Sequence, residues 1–188
     1  MGLTELIKNI NAALRDCQSL IYDNPQVILS EADFERYLSN FISDKIGYNP
    51  RNPVEHGFSV HSQISHHRED NRVVDARVDI LIFRDDDFIE TDDVEKRFKC
   101  SGKSIVIELK YLHTNNHYSI VQEDFDKINN IGNESWLYVV VLLDNCDKGI
   151  FLRKKREILK NWKDQAFINK NRGKIFCRVL EKIKKVKA

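Results

Sequence analysis

Asp79, Glu108 and Lys110 are the residues of this chain whose types and spacing could do chemistry. Asp79 adjoins the apolar run Ile80-Leu81-Ile82-Phe83, and Glu108 and Lys110 close a second apolar run, Ser104–Tyr111. A buried carboxylate is costly unless it is paired or holds a metal. Side chains alternate along a strand, so Glu108 and Lys110 share one face and Leu109 takes the other. An Asp from one strand with Glu-x-Lys from the next makes a compact acidic site with one fixed cation. Oxygen ligands of this kind suit Mg2+ or Mn2+, and the ammonium would stand beside an attacking water and the charge it develops.

The elements that must position these residues follow from periodicity. Two β-branched runs, Val73–Phe83 within a strand Arg72–Phe83 and Ser104–Tyr111, read as buried strands. Phe58 to His66 alternates and reads as the hairpin partner of the first. In that strand Phe58, Val60, Ser62, Ile64 and His66 share one face, and Ser59, His61, Gln63 and Ser65 the other. Trp136 to Leu143 is almost wholly apolar, as a central strand covered on both faces would be. Apolar residues from Leu3 to Ile21 recur at helical spacing and predict a helix over 3–22. Ser30 reads as the N-cap of a second helix ending near Gly47, with Glu31 and Glu35 one turn apart on one face. Ser119 to Ile131 has a helical period, and a strand–helix–strand order there implies a right-handed parallel crossover.

The pattern Asp79…Glu108-Leu109-Lys110 resembles the PD-(D/E)XK nuclease superfamily, over roughly Ser30 to Leu143. That resemblance implies a restriction-endonuclease-like fold: α/β, an αβββαβ core, and a mixed sheet of four or five strands flanked by helices. It implies Mg2+-dependent (or Mn2+-dependent) hydrolysis of DNA phosphodiester bonds. Asp79, Glu108 and the backbone carbonyl of Leu109 would hold the metal, Lys110 would orient or deprotonate the water, and Glu31 would act through a second metal or a bound water. Glu35 is the other candidate for the helix glutamate, and Gln122 for a supporting residue on the following helix. Val78 stands where the family name has proline. The same residues have plainer readings. Glu31 would complement a helix N-terminus, Arg77 could pair with Asp79, and Asp75 is a rival ligand four residues earlier. The rival function is a non-catalytic nucleic-acid-binding module, or a partner-dependent subunit, with a nuclease-like fold.

The rest of the chain bounds these readings. Its 188 residues suit one domain, 41% hydrophobic and 31% charged. A net charge of +1 excludes a polycation, so nucleic-acid contact must come from local patches. The basic stretch 151–188 supplies one candidate: an amphipathic helix bearing Arg153, Lys154, Lys155 and Arg156, followed by an edge strand over 174–179 and a frayed basic tail from Glu181. The acidic stretch 85–93 lacks the spacing of a calcium loop, and the histidines His61, His66 and His67 lack the spacing of a zinc site. Four scattered cysteines without a Cys-x-x-Cys pair, no visible signal peptide and no membrane-length apolar run lead to the expectation of a cytoplasmic protein. DNA is the expected partner, with no membrane association and with a homodimer or larger complex supplying target choice.

Overall fold

The computed structural model describes residues 1–51, 57–67, 73–89, 98–100, 104–113, 123, 136–146, 149, 152–153, 155–158, 160 and 175–183. Two helices open the chain, α1 (Leu3–Asp23) and α2 (Glu31–Ile46). Their caps follow from local chemistry. The Ser30 hydroxyl accepts from the Asp33 backbone N–H, and the Asp33 carboxylate accepts from both the Leu29 N–H and the Ser30 hydroxyl. This closes the first turn from both sides. At the other end Gly47 turns left-handed at φ 72°, where a Cβ would be strained.

Among the described residues seven strands follow in one mixed sheet: β1 (Phe58–His67), β2 (Val73–Arg84), β3 (Phe88–Ile89), β4 (Phe98–Cys100), β5 (Ile105–His113), β6 (Trp136–Cys146) and β7 (Ile175–Ile183). Their spatial order is β3-β4-β1-β2-β5-β6-β7. The five long strands are those expected from the sequence. The two short ones are additional: β3 falls in the stretch read as an acidic loop, and β4 follows it. β1 and β2 form the expected antiparallel hairpin, and β5 pairs with β6 in parallel. β7 is also parallel to β6 and longer than expected. Glu181–Ile183 belong to it rather than to a frayed tail, because their backbone pairs with β6 residues Leu143, Asp144 and Cys146.

Helices α1 and α2 cover one face of the sheet. Leu6, Ile10, Leu14 and Ile21 of α1, with Phe34, Leu38 and Ile42 of α2, join Ile80, Ile82, Ile105, Ile107, Leu109, Tyr138, Val140 and Leu142 in a single buried core. The alternate residues Leu81, Val106, Val139, Val141 and Leu143 are buried as well, so both faces of the central strands are covered. α1 also closes the outer edge of β7. The Gln18 side-chain amide donates to the Glu181 carbonyl at 2.8 Å and accepts from the Glu181 N–H at 2.9 Å. It thereby takes the place of a neighbouring strand on an otherwise open edge. The helix expected over Ser119–Ile131 lies outside the described residues apart from Glu123, which is helical. Among the described residues no helix is long and apolar enough to cross a membrane.

Candidate active site at the β2–β5 fork

The site forms where two paired strands part. β2 and β5 are antiparallel through Ile80↔Ile107, Leu81↔Val106 and Ile82↔Ile105, and the pairing stops there. One further step would set Asp79 opposite Glu108. Instead Asp79 turns its carboxylate into the gap, and its Oδ2 accepts the Leu109 N–H at 2.7 Å. Two residues on, and therefore on the same edge of β5, the Tyr111 N–H donates to Glu31 Oε2 at 3.0 Å. Two backbone donors that a continuing β2 would have satisfied are satisfied by carboxylates. An unpaired backbone donor in this setting would cost about 1–3 kcal/mol, so the fork depends on these two side chains.

Helix α2 lies across β1, β2 and β5, and its i, i+4 spacing delivers two glutamates to different strands. Glu31, in its first turn, reaches β5. Glu35, one turn later, meets β1: the Gln63 side-chain Nε2 donates to Glu35 Oε2 at 2.5 Å and to Asp79 Oδ1 at 3.2 Å. Gln63 faces Asp79 across the hairpin, between the pairs Ser62↔Ile80 and Ile64↔Val78. Its φ is +57°, in the left-handed region, at a cost of order 1–2 kcal/mol for a side chain of this size. This twist interrupts the alternation expected for β1. Both Ser62, whose hydroxyl lies 3.3 Å from that of Ser39, and Gln63 consequently face α2. An open cleft of about 510 Å3 runs beside them, lined by Glu35, Arg36, Ser39, Asn40, Ser62 and Gln63 among others.

Glu108 is 1% exposed, a buried carboxylate beside the fork. Lys110 is partly buried, and its Nζ lies 3.8 Å from Glu31 Oε2. The structure thus sets Glu31, Asp79 and Lys110 around the open edge of β5, joins Glu35 to Asp79 through Gln63, and buries Glu108 within the same strand; the sequence favoured Glu31 over Glu35. The side chains of Asp75 and Arg77 lie outside the described residues, as do Gln122 and Lys154. Arg153, Lys155 and Arg156 sit on helical backbone, Arg153 and Arg156 exposed, and the fork's described contacts involve none of them. The histidines separate. His61 stacks on Phe83 with ring centres 4.9 Å apart, and burial pulls its pKa below the ordinary 6.5 against the opposing pull of Asp85. The side chains of His66 and His67 lie outside the described residues.

Sequence reasoning missed Gln63, whose polar alternation gave no sign of a positive φ, and missed the part played by the Tyr111 backbone. The donor set is all oxygen, the chemistry of a hard divalent cation. Among the described residues no three His, Cys, Asp or Glu side chains gather as a ready-made cluster. Magnesium commonly takes only one or two carboxylates and fills its remaining positions with water and phosphate oxygens. Asp79, Glu108 and the Leu109 carbonyl match such an ion by donor type. The Gln63 amide donates to both Glu35 and Asp79 and so ties the two carboxylates together. Comparison with family models, with curated proteins and with solved structures finds no match for this chain.

Proposed function

We propose that the chain is a metal-dependent nuclease that hydrolyses DNA phosphodiester bonds at the β2–β5 fork. The observation that carries this reading is the meeting of Asp79 from β2 and Glu31 from α2 on the open edge of β5, with Lys110 beside Glu31 and the buried Glu108 on the same strand. Asp79, Glu108 and the Leu109 carbonyl are the groups that would hold Mg2+ or Mn2+. Bound there, the ion would lower the pKa of a water and neutralise the phosphate it attacks.

The chain's own residues account for the rest of the chemistry. Lys110 is a fixed cation at the open end of β5, suited to orient a water and to stabilise negative charge as it moves onto the phosphoryl oxygens. Glu31 sits within 3.8 Å of that ammonium and is held by the Tyr111 N–H, so it fixes where the ammonium points. Hydrolysis adds the water oxygen to phosphorus and expels one ester oxygen, which takes a proton. Glu35 and Gln63 hold Asp79 from the side opposite Leu109.

A second reading has its own observation. Each Asp79 oxygen already accepts a protein hydrogen bond, from Leu109 and from Gln63. A carboxylate used only to close the fork would look the same, and the chain would then be a non-catalytic nucleic-acid-binding or partner-dependent subunit. Cleavage of supercoiled plasmid and of labelled single-stranded DNA separates the two, run with Mg2+, Mn2+ or EDTA beside Asp79→Ala and Lys110→Ala. Metal-dependent cutting lost in both variants is the expected result. Cutting that persists in both, or calorimetry that detects no Mn2+ binding by the wild-type chain, overturns the nuclease reading.

A further inference from the structure

Behind the fork, on the α-helical side of the sheet, lies a cluster to which the reaction assigns no part. Lys182 of β7 is 8% exposed. An ammonium has three donors and no acceptor, and this one has three acceptors in reach: the Ile28 carbonyl at 2.7 Å, the Tyr111 hydroxyl at 3.0 Å and Asp144 Oδ2 at 3.4 Å. The Tyr111 hydroxyl in turn donates to Asp144. His113 Nδ1 lies 3.6 Å from the same carboxylate, on the solvent side. The ammonium also stands 5.5 Å from the centre of the Tyr111 ring.

These contacts close a circuit through the fork. Ile28 is fully buried and lies three residues before Glu31. The intervening residues are held by the Ser30–Asp33 cap, which leaves the segment little freedom of its own. Glu31 then takes the Tyr111 N–H, and the ring of the same Tyr111 returns to Lys182. One residue of the last strand therefore grips both the segment that carries Glu31 and the residue that Glu31 must reach. A methionine of similar length could fill this space without burying a charge. It could not hold three acceptors in one geometry.

We propose that Lys182 is a positioning residue for the fork: by joining the Ile28 carbonyl to the Tyr111 side chain it sets Glu31 against the Tyr111 N–H. The proposal deepens the nuclease reading and rests on it only for the activity measurement. The test is amide hydrogen exchange followed by NMR on the full 15N-labelled chain, read at positions 109 and 111. Both amides are bonded to carboxylates, but only the second depends on Lys182. Lys182→Met is expected to speed exchange at position 111 at least tenfold while position 109 holds, and Lys182→Arg to restore most of the protection. Cleavage should follow, with kcat falling in Lys182→Met, KM little changed and recovery in Lys182→Arg. If Lys182→Met does not fold, Tyr111→Phe removes the shared hydroxyl and is expected to speed exchange of the same amide. Unchanged exchange at 111, or equal acceleration at 109 and 111, overturns the proposal. Absence of cleavage by every form with the expected exchange pattern supports the positioning role and overturns the nuclease reading instead.

Discussion

The two edges of strand β5 are built by different rules. Toward β6 it is paired along its whole length, from Ile105↔Trp136 to His113↔Asp144. Toward β2 it is paired at three positions, after which Asp79 and Glu31 take over the work of a strand. The first edge is backbone against backbone, and almost any apolar sequence could make it. The second requires two named carboxylates at fixed places. A sheet that gives up its ladder on one side exposes backbone polar groups, and the groups that satisfy them can also be groups that react. On the proposed reading the contrast puts stability on one edge and chemistry on the other.

Breaking this contrast should have its largest effect on activity. Asp79→Ala is expected to lower metal-dependent cleavage by a factor on the order of 10³, and Lys110→Ala by about 10²–10³, the range for removing a preorganised charge. Both proteins should still melt cooperatively in circular dichroism. Loss of the folded state in Lys110→Ala would mean that the open edge is structural after all. The converse comes next. Ile107→Ala, in the core at the last β2–β5 pair, is expected to cost about 2–5 kcal/mol in urea unfolding, with activity per folded molecule retained. Equal losses of both properties in both variants would erase the distinction between the edges.

A smaller effect sharpens the geometry of the fork. At a strained, left-handed φ glycine is the better residue. Gln63→Gly should therefore be more stable than Gln63→Ala by about 1 kcal/mol, the reverse of the usual order inside a strand. Since both variants lack the amide, the difference reads the backbone alone. The smallest effect lies where the β1–β2 ladder is intact. Burial keeps His61 neutral in the folded chain below its ordinary pKa of 6.5, so the unfolded chain takes up a proton that the folded one does not. Its contribution is complete above pH 6.5 and is lost as the pH falls through that value toward the folded pKa. His61→Gln should flatten the fall in denaturation midpoint between pH 7.5 and pH 5.5, and an unchanged slope would place the pH sensitivity elsewhere.

What the sequence made legible was local or periodic. Ser30 and Gly47 bound α2 because a cap and a left-handed turn are decided by neighbouring residues. Asp79, Glu108 and Lys110 could be placed on strands because charge inside an apolar run stands out against alternation. Glu31 and Glu35 shared a face by helical spacing, but which strand each would meet depends on how α2 crosses the sheet, and that is not written in α2. Gln63 was hidden because an alternating pattern says nothing of a single reversed φ. Lys182 was misplaced for a different reason. In a run of lysines it reads as solvated, and its acceptors lie 154, 71 and 38 residues away. The strands β3 and β4, two and three residues long, carry too few positions to show any period.

The bond from Lys182 to Ile28 also orders events in time. The anchor of the segment before Glu31 is made 154 residues after it. At ribosomal rates of about 5–20 residues per second that interval is roughly 8–30 s. Helices α1 and α2 can form early, since their contacts are close in sequence, but the cluster that sets Glu31 must wait for β7 to join β6. A chain interrupted before its last strand would keep Asp79, Glu108 and Lys110 and lack the anchor that sets Glu31. For the nuclease proposed above, that order of assembly would leave unfinished molecules with Glu31 unanchored.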